Sequence, residues 1–419
     1  MSEQGFDKYR GRILETLKFA TENSHSDFYN KKYKVLKLKT EEVVSYADFQ
    51  KIPFLTKDVL LQTPLDKRIF VPATDIDYYT SSSGTSGKNI PLVLPRGKES
   101  TISFSDNDNL RNRKLHRLLL LLPLSISANN ARRLTIPYII GDPNKLPLTA
   151  QIIREAKIDS IFTTATLLYL FIEQLKTYEI DTQGIRYIKL GAEACTAQKV
   201  LYFKDFFPNA YFDFSYGASE IGRIGYRCEY MSKEKPNIFH LQDNNFIEII
   251  NVDEDGFGEL VFTSLEPSAF PLIRYKSGDL AKRLLHKCSC GATNTIELRG
   301  RSDGEQLRIS GVLLHSQAIA NAIEHTNGAL TPYFQAHVYE RTQGQRIYTE
   351  IVLDLEAQKT VKKPDKKELT RIVENNLYLS SDKTMNYFIN EGLFLPLRIN
   401  LVGKVPQNSK TKNIIFHSE

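Results

Sequence analysis

Residues 158–190 read IDSIFTTATLLYLFIEQLKTYEIDTQGIRYIKL, and the order of patterns within them decides the fold. Ile158–Thr163 is a short apolar run, Leu167–Leu175 repeats apolar residues at helical spacing, and Tyr187–Leu190 is a second apolar run. Short runs without polar alternation suit strands buried on both faces, and a helix between two of them is the crossover that parallel strands require. Working outward, the runs Leu118–Leu122 and Arg133–Ile140 precede this unit, and a helical pattern over Ala197–Phe207 follows it. The alternation predicts an α/β sandwich with parallel strands.

The flanks read differently. Tyr9, Ile13, Leu17 and Ala20 form the stripe of an N-terminal surface helix, broken by Asn23-Ser24-His25-Ser26. Phe246–Asn251 and Gly258–Leu265 flank Asp253-Glu254-Asp255-Gly256, which predicts a hairpin in a more antiparallel, β-rich unit. Beyond Gly300 the chain reads strand, helix (about Ser316–His325), strand, strand (Ile347–Leu355), helix (about Pro364–Leu377) and strand (Leu397–Val402), a compact α+β module. The expected fold class is therefore α/β, with a small α+β unit at the C-terminal end.

Composition narrows the function classes. The chain has 419 residues, 41% hydrophobic and 25% charged, enough to bury a sizeable core. Lys+Arg number 55 against 49 Asp+Glu, a mixed surface from which no nucleic-acid partner follows. Met1-Ser2-Glu3-Gln4-Gly5 lacks a secretory pattern, and Leu118–Leu122 falls far short of the ~20 residues that span a bilayer, so a cytoplasmic protein without a membrane partner is expected. Four cysteines, two of them in Cys288-Ser289-Cys290, read as reduced thiols or metal ligands rather than a disulfide framework.

The segment Thr80–Lys88 packs hydroxyls, glycines and a lysine into nine residues, a loop whose backbone N–H groups can wrap phosphate oxygens. It is not a Walker loop: Gly84 and Gly87 are too close together, and Asn89 stands where a magnesium-binding hydroxyl would follow Lys88. Taken alone, Glu220 reads as a helix-start acid, Asp279 as a turn residue and Arg301 as a surface cation. Their order along the chain is what assigns chemistry to them.

That order resembles the adenylate-forming superfamily of acyl and aryl ligases. The phosphate loop of that superfamily looks like Ser82-Ser83-Gly84-Thr85-Ser86-Gly87-Lys88, its nucleobase and acyl-pocket segment like Leu190-Gly191-Ala192-Glu193, and its Tyr-Gly-x-Thr-Glu motif like Tyr216-Gly217-Ala218-Ser219-Glu220. The ribose motif resembles Tyr275-Lys276-Ser277-Gly278-Asp279, and the hinge motif resembles Gly300-Arg301-Ser302-Asp303 with Gly311. Phe28-Tyr29 and Pro53-Phe54-Leu55-Thr56-Lys57 look like the phenylacetate-coenzyme A ligase branch, which the length also fits.

The resemblance implies an adenylation domain over residues 1–302, binding ATP and an acyl acid, and a mobile lid domain over 303–419 turning about Asp303. It implies an AMP-forming acid–thiol ligase: a carboxylate attacks the α-phosphorus of ATP, pyrophosphate leaves, and the acyl group passes to a thiol, expected to be coenzyme A. Thr85, Ser86 and Lys88 would hold the outer phosphates, Glu220 a magnesium ion with Ser219 alongside, and Asp279 the ribose hydroxyls. Arg301 would contact ribose or phosphate, and Tyr216 would face adenine. Counting from Pro406 puts the catalytic lysine at Lys412, with Lys410 the competitor and Thr411 where the family has glycine. The acid is expected to be aromatic, facing the apolar segments Ile161–Tyr169 and Phe212–Ser215.

Cys228, His240, Cys288 and Cys290 supply four soft or borderline ligands for a closed structural zinc site, with His286 as a rival fourth ligand. The resemblance supports a metal there as well. Cys195 reads as a core thiol. Transfer to a carrier-protein thiol, and a ligase-like scaffold that binds without turnover, stand as alternative readings; a homodimer is the one assembly entertained.

Overall fold

The computed structural model describes residues 3–35, 40–81, 92–97, 113–122, 131, 134, 136–193, 195, 197–231, 236–266, 269–285, 287–301, 306–326, 328–344, 346–357, 365–380, 382–405 and 413–417. Helix α1 (Glu3–Thr21) buries Phe6, Tyr9, Ile13, Leu17 and Ala20 along one stripe. It stops where the Asn23 side chain accepts from the backbone N–H groups of His25 and Ser26, an alternative to continuing the helix. Helices α2 (Phe28–Val35), α3 (Tyr46–Gln50) and α4 (Lys57–Gln62) follow, then the antiparallel pair β1 (Ile76–Ser81) and β2 (Val93–Gly97).

Five parallel strands, β3 (Leu118–Leu121), β4 (Tyr138–Ile140), β5 (Ser160–Thr163), β6 (Tyr187–Leu190) and β7 (Tyr211–Phe214), lie in the order β4-β3-β5-β6-β7. Helices α5 (Leu146–Ala156), α6 (Ala165–Thr177) and α7 (Ala197–Phe206) connect them. Strands β3, β5 and β6 are buried on both faces, with Leu119, Leu121, Ile161 and Ile188 in the main core and Leu118, Leu120, Phe162 and Tyr187 in a second cluster, while the edge strand β4 is exposed. This is the expected parallel α/β layer. Of the expected run Arg133–Ile140, the described residues form a strand over Tyr138–Ile140, after Pro137, which has no N–H to donate to a ladder.

A seven-stranded antiparallel sheet comes next: β8 (Tyr216–Ala218), β9 (Gly222–Tyr226), β10 (Ile238–Leu241), β11 (Asn245–Ile250), β12 (Gly258–Ser264), β13 (Tyr275–Leu284) and β14 (Thr295–Arg301), ordered β11-β12-β13-β14-β10-β9-β8. The expected hairpin is β11–β12. Phe246 on β11 meets Phe6, Tyr46 and Phe49 edge-on, docking the N-terminal helices onto this sheet, and each buried ring is worth roughly 2 kcal/mol. Arg274, buried at a left-handed φ of 48°, pairs with Glu248 at 3.0 Å and donates to the carbonyls of Gln50 and Ile52. The chain at Leu55 thereby adds onto β13 through paired backbone hydrogen bonds.

The C-terminal part holds the hairpin β15 (Gln306–Ile309) and β16 (Val312–His315), helix α8 (Ser316–Glu324), β17 (Leu330–Gln343), β18 (Arg346–Ala357), α9 (Lys366–Asn376), α10 (Met385–Asn390), β19 (Arg398–Val402) and β20 (Ile414–His417). Its four-stranded sheet runs β19-β18-β17-β20, with β17–β18 antiparallel and both outer pairings parallel. The predicted module is present, with α10 and β20 added. The expected boundary at 302/303 and the hinge residue Asp303 lie outside the described residues. No helix among the described residues is long and apolar enough to cross a membrane.

Candidate active site and metal centre

In open parallel sheets, ligands gather at the carboxyl ends of the strands, and the predicted residues converge there. Gly191, Ala192 and Glu193 follow β6, and Ser215 and Tyr216 follow β7. The two connections touch: a Cβ on Gly191 would meet the Ser215 hydroxyl at 2.6 Å, so a side chain there would force that hydroxyl to move. Ala192 takes a left-handed φ of 67°, unfavourable for a side-chain-bearing residue and held by its surroundings. Gly217 is equally constrained, its Cβ position lying 2.6 Å from the Gly222 carbonyl across the β8–β9 turn.

That turn carries Ser219 and Glu220. Glu220 faces the ammonium of Lys57, the first residue of α4, at 3.7 Å. Arg96, buried on β2, donates to the Ser219 carbonyl. Tyr216 donates its hydroxyl to Asp279 at 2.6 Å, and its ring packs against Phe239. Asp279 on β13 pairs in register with Arg301 on β14, and its N–H donates to the Ser277 hydroxyl at 3.1 Å. The structure thus brings Tyr216, Gly217, Ser219, Glu220 and Asp279 together beside the Arg301 backbone, with the two cations Lys57 and Arg96.

Glu193 is used differently. It accepts from the backbone N–H of Thr166, from the Thr166 hydroxyl at 3.1 Å, and from the Gly311 N–H at 3.3 Å, tying the loop after β6 to the start of α6 and to the β15–β16 turn. Cys195 nearby is enclosed, and burial holds its thiol far above the ordinary range, which fits a core thiol and not a nucleophile. The loop Ser82, Ser83, Gly84, Thr85, Ser86, Gly87, Lys88 lies outside the described residues, between β1 and β2. Lys410 and Lys412 also lie outside them, shortly before β20.

The sequence alone does not mark Lys57 or Arg96 as neighbours of Glu220 and Ser219. Lys57 lies within the Pro53–Lys57 segment, and the pairing of Leu55 with Tyr275 carries it to Glu220. Arg96 has no local signal.

Cys228, His240, Cys288 and Cys290 assemble at the far end of β9 and β13, with one ligand atom of each within 4.8 Å of all the others. The Cys228 and Cys288 sulfurs are 3.6 Å apart, and His240 Nε2 lies 3.3 Å from Cys228 Sγ and 3.2 Å from Cys290 Sγ. With Zn–S near 2.3 Å and Zn–N near 2.0–2.1 Å, the edges of a tetrahedral zinc site are about 3.5–3.8 Å, so the donor set fits this ion. Thr295 Oγ1, 2.8 Å from His240 Nδ1, orients the ring with Nε2 toward the sulfurs. The Cys288–Gly291 turn is closed by the Gly291 N–H on the Cys288 carbonyl at 2.8 Å, with Gly291 at a φ of 93°. Burial and the neighbouring Cys288 push the Cys228 thiol up to about 11. The rival ligand His286 lies outside the described residues.

No family model matches the chain. It is 28% identical over 360 residues to a phenylacetate-coenzyme A ligase of Escherichia coli (strain K12), covering 79% of this chain and 78% of that protein. It is 25% identical over 379 residues to one of Pseudomonas putida, covering 85% of each. Among solved structures, 2-hydroxyisobutyryl-CoA ligase in complex with 2-HIB-AMP and CoA superposes on 99% of this chain and 90% of its own with a TM-score of 0.66 at 18% identity. The amide bond synthetase from Marinactinospora thermotolerans covers 84% of this chain and 70% of its own with a TM-score of 0.52 at 16% identity. The fold is that of the adenylate-forming coenzyme A ligases. Over most of its length the chain is similar in sequence to phenylacetate-coenzyme A ligases.

Proposed function

We propose that this protein activates a carboxylic acid, aromatic or aryl-acetic, as its acyl adenylate with release of pyrophosphate, and then passes the acyl group to coenzyme A. The observation that carries the reading is the convergence of Tyr216, Glu220 and Asp279 at the carboxyl edge of the parallel sheet, in a chain similar to coenzyme A ligases over most of its length. Residues 1–302 would form the adenylation domain and 303–419 the lid.

Asp279 would accept the ribose hydroxyls once Tyr216 yields its hydrogen bond, and Tyr216 would border the base. Glu220, a hard oxygen donor, would hold magnesium in place of its present partner Lys57. A bound magnesium ion would offset the charge that builds on the transferring phosphate. Lys57 and Arg96 add fixed positive charge at the same edge, stabilising phosphate oxygens, with Ser82–Lys88 and Arg301 contributing from the loop and the strand. Lys412 would bridge the acyl carboxylate and the α-phosphate.

Cys228, His240, Cys288 and Cys290 would hold one zinc ion. Four protein ligands leave no open position, so the ion would stabilise the fold and take no part in the reaction.

A panel of carboxylic acids assayed for acid-dependent ATP–pyrophosphate exchange, followed by coenzyme A consumption, tests the function. Exchange with at least one aryl acid and stoichiometric thioester are expected; no exchange with any acid overturns the reading. Lys412→Ala is expected to cripple exchange while leaving thioester formation from preformed adenylate largely intact.

A further inference from the structure

The C-terminal part meets the rest of the chain through a polar seam. Lys199 on α7 pairs with Glu340 on β17 at 2.5 Å, with 5% and 6% of the two side chains exposed. Two charges withdrawn this far from water are tolerated only while each stays against the other, so the pair persists only while α7 and β17 remain pressed together. Burial alone would lower the Lys199 pKa, but the charges of Glu340 and Glu193 outweigh it and raise it. Beside the pair, Glu193 accepts from Gly311 and Thr166. Gly311 sits at a φ of 76°, and its Cβ position lies 2.8 Å from Thr166 Cγ2, so the β15–β16 turn is tightly seated. At the rim, Arg346 reaches Glu173 at 3.2 Å.

Resting on the function proposed above, we infer that Lys199 and Glu340 are positioning residues: their buried ion pair seats the C-terminal part so that Glu193 is occupied by Thr166 and Gly311. Glu193 belongs to the segment assigned to the nucleotide, and a carboxylate held by three protein donors is not available to ligand. The seat therefore competes with nucleotide entry, and the pair sets how strongly. Neutralising one partner strands the other charge in a dry seam, which it escapes by letting the seam open.

Glu340→Gln and Lys199→Met, made in the full chain, test this against the charge-exchanged double variant Lys199→Glu, Glu340→Lys. The single variants should show a KM for ATP in pyrophosphate exchange at least 3-fold lower than wild type, with thioester formation slowed at saturating ATP, and the exchanged pair should move both values back. An unchanged or higher KM, or an equal loss in both half-reactions, overturns the inference. Should the single variants fail to fold, Glu340→Asp and Lys199→Arg keep the charges while altering reach; a smaller shift in the same direction supports the seat, and wild-type values overturn it.

Small-angle scattering reads the seat without any assay of activity. A larger radius for Glu340→Gln is expected, and an identical radius sinks the inference. If the wild type shows no exchange but the radius shifts, the functional reading fails while the seat stands.

Discussion

Two clusters hang on the same strands of the antiparallel sheet and are built on opposite principles. Glu220 precedes β9 and Cys228 follows it; Asp279 lies within β13 and Cys288 follows its end. The polar edge holds hard oxygen and nitrogen groups paired with one another, Tyr216 with Asp279 and Lys57 with Glu220, each able to trade its partner for a ligand. The cysteine–histidine cluster holds four donors within 4.8 Å, aimed at one point, with His240 fixed from behind by Thr295. On the proposed function, the first arrangement serves exchange and the second permanence. Damage to the first should therefore appear in rates, and damage to the second in stability.

The largest effect should fall on the permanent cluster. Cys290→Ser should remove a stoichiometric metal ion and cost about 3 kcal/mol, roughly 3 °C in melting temperature for a chain of this size. Metal analysis with calorimetry checks it, and a metal-free wild type would break the comparison at once. Next, Glu220→Gln should reduce pyrophosphate exchange by about 100-fold with little change in melting temperature, because the lost carboxylate served the reacting charge and not the fold. A melting-temperature drop matching that of Cys290→Ser would erase the distinction between the clusters.

Smaller changes sharpen it. Tyr216→Phe removes a hydrogen bond to a charged acceptor that the ribose would have to displace, worth about 1.5 kcal/mol, and should lower the KM for ATP by roughly 10-fold. Lys57→Met should cost about 3-fold in exchange, an ion pair near the surface being worth less than 1 kcal/mol. A separate test concerns Lys189, buried in the fold, where burial and the charge of Arg223 hold its pKa down to about 7. Between about 7 and the ordinary 10.5 the unfolded chain binds a proton there that the folded chain does not, so stability rises with pH across this window. Lys189→Met should flatten that slope in melting curves taken from pH 7 to 10.

Local pattern carried the parallel layer. The runs at Leu118, Ile158 and Tyr187 were legible because strands buried on both faces must be apolar throughout. The α1 stripe and the β11–β12 hairpin were legible for similar reasons, one from a period of 3.6 and the other from an Asp-Gly turn. Strand β20 was not legible: four residues carry little periodicity, and its partner β17 lies some 80 positions earlier. Arg96 reaches Ser219 across 123 positions and left no trace in its own neighbourhood.

The two buried lysines show the same divide. In sequence, Lys189 and Lys199 look alike, each followed by an aliphatic residue, Leu190 and Val200. Folded, both are 4% exposed, yet one is held low and the other high. The amino-acid order determined which residues become strands, which turns close, and which motifs follow which, since those depend on neighbours a few positions apart. Tertiary structure alone decided that Lys199 meets Glu340, that Lys57 meets Glu220, and that one histidine gathers three thiols, because a charge or a ligand is defined by what faces it, and the chain brings those faces together only when it folds.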